Sequence, residues 1–178
     1  DAAKEYTYVT PIVAIGSGAA DACTTGYANT AVGTNALANN IIGYKCVAVG
    51  EAALIADVAS NNTGVGYGAL TANTTGGANT AVGCDAGKAI TDVAYNAFFG
   101  YQAGGGTTGG YNVFVGGRAG GAGSNTSAMN TVIGYNAGYS MGSTAGSSNC
   151  VIIGANAGLD HSNSAHRNTS VGVNAGDA

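Results

Sequence analysis

Charge is scarce in this sequence. Nine acidic and five basic residues make up 8% of the 178, where a typical soluble domain carries about a quarter. The cations Lys4, Lys45, Lys88, Arg118 and Arg167 stand singly, too sparse to neutralise a phosphate track, which excludes nucleic acid as a partner. No apolar run approaches the roughly 20 residues of a membrane-spanning helix, so no membrane insertion is expected. Long glycine-free amphipathic runs are missing too, with 32 glycines spread along the chain, and a helical bundle is thereby excluded. Those glycines do not fall at every third position, which excludes collagen. The four cysteines, Cys23, Cys46, Cys84 and Cys150, form no CxxC pair and no metal-ligand spacing, so no metal site is expected. Low charge with much Asn, Thr and Ser resembles a disordered tract, but 46% apolar residues at fixed offsets argue for burial.

What is present is a repeat. Glycines preceded by an apolar pair or its equivalent stand at 16, 33, 50, 66, 83, 100, 116, 134, 154 and 172, a period of 16 to 20 residues over the whole chain. Such self-similarity marks a solenoid or array. The residue before each marker glycine is always apolar and nearly always β-branched (Ile15, Val32, Val49, Val65, Val82, Phe99, Val115, Ile133, Ile153, Val171), the signature of a strand, and we expect it to face a core. Three residues after the glycine, alanine stands in all ten copies, including Ala36, Ala86 and Ala137. An unbroken small residue implies a crowded site inside a narrow coil or between chains. Four residues before the glycine, Asn recurs in seven copies, among them Asn29, Asn79 and Asn130; it suits a turn entering a strand and, stacked, a hydrogen-bonded ladder.

Each unit therefore reads as a strand of about five residues, a bend at the glycine (Gly33, Gly83 and Gly134 are clear instances), a second short extended piece around the alanine, and a variable turn. A lone short strand cannot bury its apolar side. Stacked at about 4.8 Å per turn, the units make an all-β fold, a parallel β-solenoid of about ten coils. Residues 1–11 fit the repeat poorly and are expected to be a cap or arm; 12–178 form a single repeat domain. The period lengthens through the last copies, and insertions in solenoids project from one face, often the binding face.

Reactive groups are few. His161 and His166, with Asp160, share one inserted turn, where a solvated loop is the simpler reading. Glu51, Asp57, Asp85 and Asp92 offer carboxylates that pair in glycosidases, yet Asp85 stands at an Asn offset and reads as a turn residue. Gly104 to Gly109 matches a GxGxxG string without the helix that such a motif needs. No catalytic residue and no cofactor is assigned; the protein is not expected to be an enzyme. Cys23 and Cys46, 23 residues apart, fall on neighbouring turns, either as a disulfide in an oxidising setting or as small buried hydrophobes. Tyr67, Tyr101 and Tyr135 each follow a marker glycine at intervals of 34 residues, one ring on every second coil. Such a row reads as a glycan-binding strip or as filling between chains.

The motif Asn-Thr-Ala-Val-Gly-x-Asn-Ala-Gly/Leu, as in Asn29 to Leu37, Asn79 to Gly87 and Asn130 to Gly138, resembles the repeats of bacteriophage tail-fibre proteins. It is similar, less closely, to the head repeats of trimeric autotransporter adhesins, which place their Asn one residue further from the glycine. The resemblance covers Val13 to Gly176 and implies a homotrimer of β-coils working in attachment on a virion surface or otherwise outside the cell. On that resemblance the chain is a shaft segment, or the product left after a chaperone domain is cleaved, and its partners are itself and a host-surface polysaccharide. Two other readings remain: a filament or surface-layer subunit assembling head to tail, and an ice-binding solenoid using the Thr column.

Overall fold

The computed structural model describes residues 12–121, 126–141, 147–159 and 167–176, which leaves the expected cap at 1–11 outside the described residues. Ten strands of three residues follow one another: β1 (Val13–Ile15), β2 (Thr30–Val32), β3 (Val47–Val49), β4 (Thr63–Val65), β5 (Thr80–Val82), β6 (Ala97–Phe99), β7 (Val113–Val115), β8 (Thr131–Ile133), β9 (Val151–Ile153) and β10 (Thr169–Val171). They form one parallel sheet in chain order. Equivalent residues pair, so Ala31 of β2 lies opposite Ala14 of β1 and Ala48 of β3. The result is an all-β parallel solenoid of about eight full turns with no helix among the described residues.

Three expectations need correction. The strands are three residues long, not five, and the segment around the alanine is a turn, not a second short extended piece. The residue before each marker glycine faces outward: Ile15 is 60% and Ile133 38% exposed. Alternation explains this, because in a three-residue strand the middle side chain points opposite to its two flanks. The middle residues Ala31, Ala48, Ala81, Phe98, Phe114, Val132 and Ile152 are the buried ones, and a coil of about 17 residues is too narrow to take in both sides.

The bend is made by two local devices. Each marker glycine adopts φ between +127° and +140°, a region L side chains rarely enter. Its carbonyl then accepts the N–H of the alanine three residues on, as in Ala36 N to Gly33 O at 3.2 Å. The third residue of that turn has φ above zero in every coil, where Gly and Asn are favoured; Gly18, Asn35, Asn136 and Asn156 comply, whereas Ala52, Gln102 and Arg118 are carried by the ladder around them. That second ladder follows the alanine column, for example Leu37 N to Ala53 O at 2.9 Å and Gly104 N to Ala119 O at 2.9 Å. Ala36, Ala86 and Ala137 are fully buried, as the sequence reading expects.

The interior is filled by exchange between two positions. Where the middle strand residue is small (Ala31, Ala48, Gly64), the residue four after the glycine is Leu37, Leu54 or Leu70; where it is large (Phe98, Phe114, Val132, Ile152), that partner is Gly104, Gly120, Gly138 or Gly158. In the coil of Ala81 and Gly87 both are small, and a Cβ on Gly87 would meet Leu70 Cδ2 and Phe98 Cδ2 at 2.8 Å each. Neighbouring coils therefore fill that vacancy, keeping the core at close-packed density.

The Asn column is a buried polar ladder, as expected. Asn62 Oδ1 accepts the Asn79 N–H at 2.8 Å, Asn79 Oδ1 that of Asn96 at 3.0 Å, and Asn112 Oδ1 that of Asn130 at 3.0 Å. Each Nδ2 donates to a carbonyl near the turn, as Asn29 to Gly43 O at 2.8 Å and Asn130 to Ser147 O at 2.9 Å. Buried amides are thereby satisfied on both sides. Cys46 and Cys150 take the Asn position in two coils and donate the same N–H, to Asn29 Oδ1 and Asn130 Oδ1, both at 2.9 Å.

Candidate functional site

Outward columns define the surface available for recognition. The flanks of the ten strands form two parallel columns, one apolar throughout and one alternating among Thr, Val and Ala. Val13, Val113, Phe99, Ile133 and Ile153 are each more than a third exposed. Two residues past the apolar column stands the tyrosine row. Tyr67, Tyr101 and Tyr135 are 57%, 51% and 58% exposed, with Cys84 and Gly117 between them. Backbone bonds hold the row in register: Tyr67 O accepts from Asp85 N at 2.8 Å, Cys84 O from Gln102 N at 2.9 Å, Tyr101 O from Arg118 N at 2.8 Å and Gly117 O from Asn136 N at 3.0 Å. The Tyr135 ring leans on the coil below, where a Cβ on Gly117 would meet its Cδ2 at 3.3 Å.

Two tyrosine pairs stack elsewhere on the coils. Tyr95 and Tyr111 lie 5.1 Å apart at 20°, and Tyr27 and Tyr44 4.8 Å apart at 2°, with Lys45 Nζ 5.7 Å from the Tyr44 ring. The Tyr27–Tyr44 pair escaped the sequence reading although its 17-residue spacing equals the period. An open cleft of about 370 Å³ is lined by Lys88, Gln102, Gly105, Gly106 and Thr108, so the glycine-rich string forms its wall. Lys88 is already engaged there by Asp85 at 3.3 Å.

The candidate carboxylates stand at different offsets. Glu51 and Asp92 are exposed, Asp85 sits on the turn beside Lys88, and Asp57 is wholly buried. His161, His166 and Asp160 lie outside the described residues. Among the described residues no group of three or more His, Cys, Asp or Glu is placed to hold a metal.

Among the described residues Asp57 is the one buried acid. It shares an interior column with Cys23, Asn40, Asn73, Ile90, Thr107 and Met141. Its Oδ1 accepts from Asn73 Nδ2 at 2.7 Å, Asn62 Nδ2 at 3.0 Å and Ala59 N at 3.3 Å; its Oδ2 accepts from the Cys46 thiol at 3.5 Å. Burial pushes the carboxyl up to about 6, and the hydrogen bonds offset only part of that. The same burial, with the neighbouring Asp57 charge, pushes the Cys46 thiol up to about 12, which keeps it protonated and unreactive. The signal for this cluster is the seventh residue after the marker glycine, a column visible only once the core face is known.

The sign of the pH effect follows. Because the folded protein holds the Asp57 proton where the unfolded chain, at about 3.8, has released it, stability is fullest below about pH 4 and falls as pH rises through 6. The expected loss from this group is about 3 kcal/mol. Urea midpoints measured from pH 4 to 8 should show that decline, and Asp57→Asn should flatten it. A decline of the same size in Asp57→Asn assigns it to other groups.

Cys23 and Cys46 are separate free thiols, not a disulfide. They occupy different columns: Cys46 stands in the Asn ladder and donates to Tyr44 O and Asp57, whereas Cys23 donates to Gly26 O at 3.6 Å within its own coil. No protein-family model matches the chain, and comparison with curated proteins and with solved structures likewise finds no match.

Proposed function

We propose that this protein is a structural attachment protein, a segment of a homotrimeric viral tail fibre or other surface fibre, working at a virion surface or otherwise outside the cell. The observation that carries the reading is the outer face of the sheet. Ten strands at about 4.8 Å give a strip roughly 45 Å long, apolar along one entire column and free of charge in both. A monomeric protein rarely leaves a contiguous apolar surface of that extent uncovered. Three copies of an in-register strip can meet along a common axis with every coil making an equivalent contact. The family resemblance of the repeat motif supports the same assembly, and the turns and tyrosines outside the strip then face the host glycan.

Sedimentation equilibrium tests this. A stable species of three times 17.1 kDa is expected; a monomer at micromolar concentration overturns the trimer, and a mass that climbs without limit favours head-to-tail filaments. One observation favours the ice-binding reading: Thr30, Thr63, Thr80, Thr131 and Thr169 all begin strands and share the outward flank with the valines. That reading requires the face which the trimer covers. Thermal hysteresis from a non-associating chain would select it.

A further inference from the structure

The tyrosine row supports a more specific statement about the glycan, one that rests on the attachment reading. Tyr67, Tyr101 and Tyr135 lie on one in-register column, because the backbone bonds between successive coils run without a break or a slip from Tyr67 to Asn136. Ring follows ring at every second coil, a rise of about 10 Å. The intervening positions are Cys84 and Gly117, so the row alternates tyrosine with a small residue, and the Tyr135 ring leans over the Gly117 position. The column is uncharged between its outer rings, and one step beyond it Asp85 and Arg118 are of opposite sign, with Asp85 held by Lys88.

Sugar rings meet aromatic faces through their C–H surfaces, while the phenol oxygen stays at the edge to bond a hydroxyl. In an extended β-1,4-linked chain successive units are turned over, so the same sugar face returns once per disaccharide. The length of that disaccharide is close to the two-coil rise. An α-1,4-linked chain curls and loses the register after one contact. The row itself, Tyr67, Cys84, Tyr101, Gly117 and Tyr135, holds no cation to pair with the carboxylates of an acidic polysaccharide.

We propose that Tyr67, Tyr101 and Tyr135 bind one extended, uncharged β-1,4-linked polysaccharide lengthwise along the solenoid, each ring stacking on every second sugar. The exposure of all three rings, the two-coil rise and the small residues between them are the features that select this class over a globular or branched ligand.

Calorimetric titration of the full chain with cellohexaose and with maltohexaose tests the proposal. Binding of cellohexaose is expected, with maltohexaose weaker by about tenfold or more, and Tyr101→Ala should weaken cellohexaose by about tenfold while Tyr101→Phe retains it. Sedimentation of each variant accompanies the titration. Equal binding of the two oligosaccharides, no binding of cellohexaose, or a Tyr101→Ala change in subunit number overturns the proposal, the last because it makes the row an interface. A monomer that binds cellohexaose removes the trimer and keeps this site; a trimer indifferent to cellohexaose removes this site and keeps the trimer.

Discussion

Gly50→Ala is expected to destabilise the solenoid by about 4 kcal/mol or more, a large share of the roughly 5–15 kcal/mol that holds an ordinary domain folded. Two costs combine. Gly50 adopts φ of +128°, which an L residue enters only with strain of order 1–3 kcal/mol. Its Cβ would also lie 2.6 Å from Gly66 O and 2.7 Å from Gly66 C. Those atoms are backbone, held by the Ala69 N to Gly66 O turn bond at 3.3 Å and by the Gly50 N to Val32 O and Gly66 N to Val49 O ladder bonds at 2.7 Å. Relief would require parting two coils that meet along a whole sheet. Gly172→Ala separates the costs, since Gly172 has φ of +130° but, among the described residues, its Cβ would meet nothing nearer than Ala175 Cβ at 3.7 Å. Chemical denaturation of both variants should show the Gly50 loss exceeding the Gly172 loss by about 2 kcal/mol or more. Equal losses would show that close approach between coils is not what fixes glycine at the bend.

The features legible in the sequence were those in which one residue type alone satisfies a position. Gly33, Gly83 and Gly134 have no substitute where φ is near +135° and a carbonyl of the next coil lies below, so identity itself reported the bend. The alanine column and the Asn ladder were readable for the same reason, each repeated contact demanding one shape or one amide. Apolar character at Ile133 does not mean burial; its strand neighbour Val132 is the buried one, because side chains alternate along a strand. The middle column hid its constraint by varying among Ala, Gly, Phe, Val, Ile and Ser. In seven of the ten coils it is matched by a second column, six residues on, large against small, and the coils of Ala14, Ala81 and Ser170 pair small with small. Asp57 stayed invisible as a core residue because carboxylates are rarely buried without a partner, and its partners, Asn62, Asn73 and Cys46, come from three different places in the sequence. The tyrosine row needed only the period, since a side chain just after the bend has no core to enter.

That hidden sum yields the second large effect. Phe98→Ala should cost about 3–5 kcal/mol, the usual loss for removing a buried phenylalanine. The ring is fully buried, stacks on Phe114 at 5.3 Å, and fills the space above Gly104, where a Cβ would stand 2.7 to 2.8 Å from three of its atoms. Gly104→Leu alone should also be strongly destabilising, because the new side chain enters the volume the ring holds. The backbone does not forbid it: Gly104 has φ of +61°, and Leu37, Leu54 and Leu70 occupy the same offset at +54°, +52° and +55°. Combining Phe98→Ala with Gly104→Leu recreates the Ala48 and Leu54 arrangement found three coils away, so the double variant should recover about 2 kcal/mol or more of the summed single losses. The recovery stays incomplete because the Phe114 ring loses its stacking partner and Leu accepts a left-handed backbone that glycine takes freely. Additive losses in the double-mutant cycle would mean that the two columns do not share one volume, and the exchange between small and large residues along the solenoid would then need another cause. A recovery of the expected size makes the paired sum, not either residue, the quantity the fold constrains, and it extends to the Phe114 with Gly120 coil, where the same test should give the same sign.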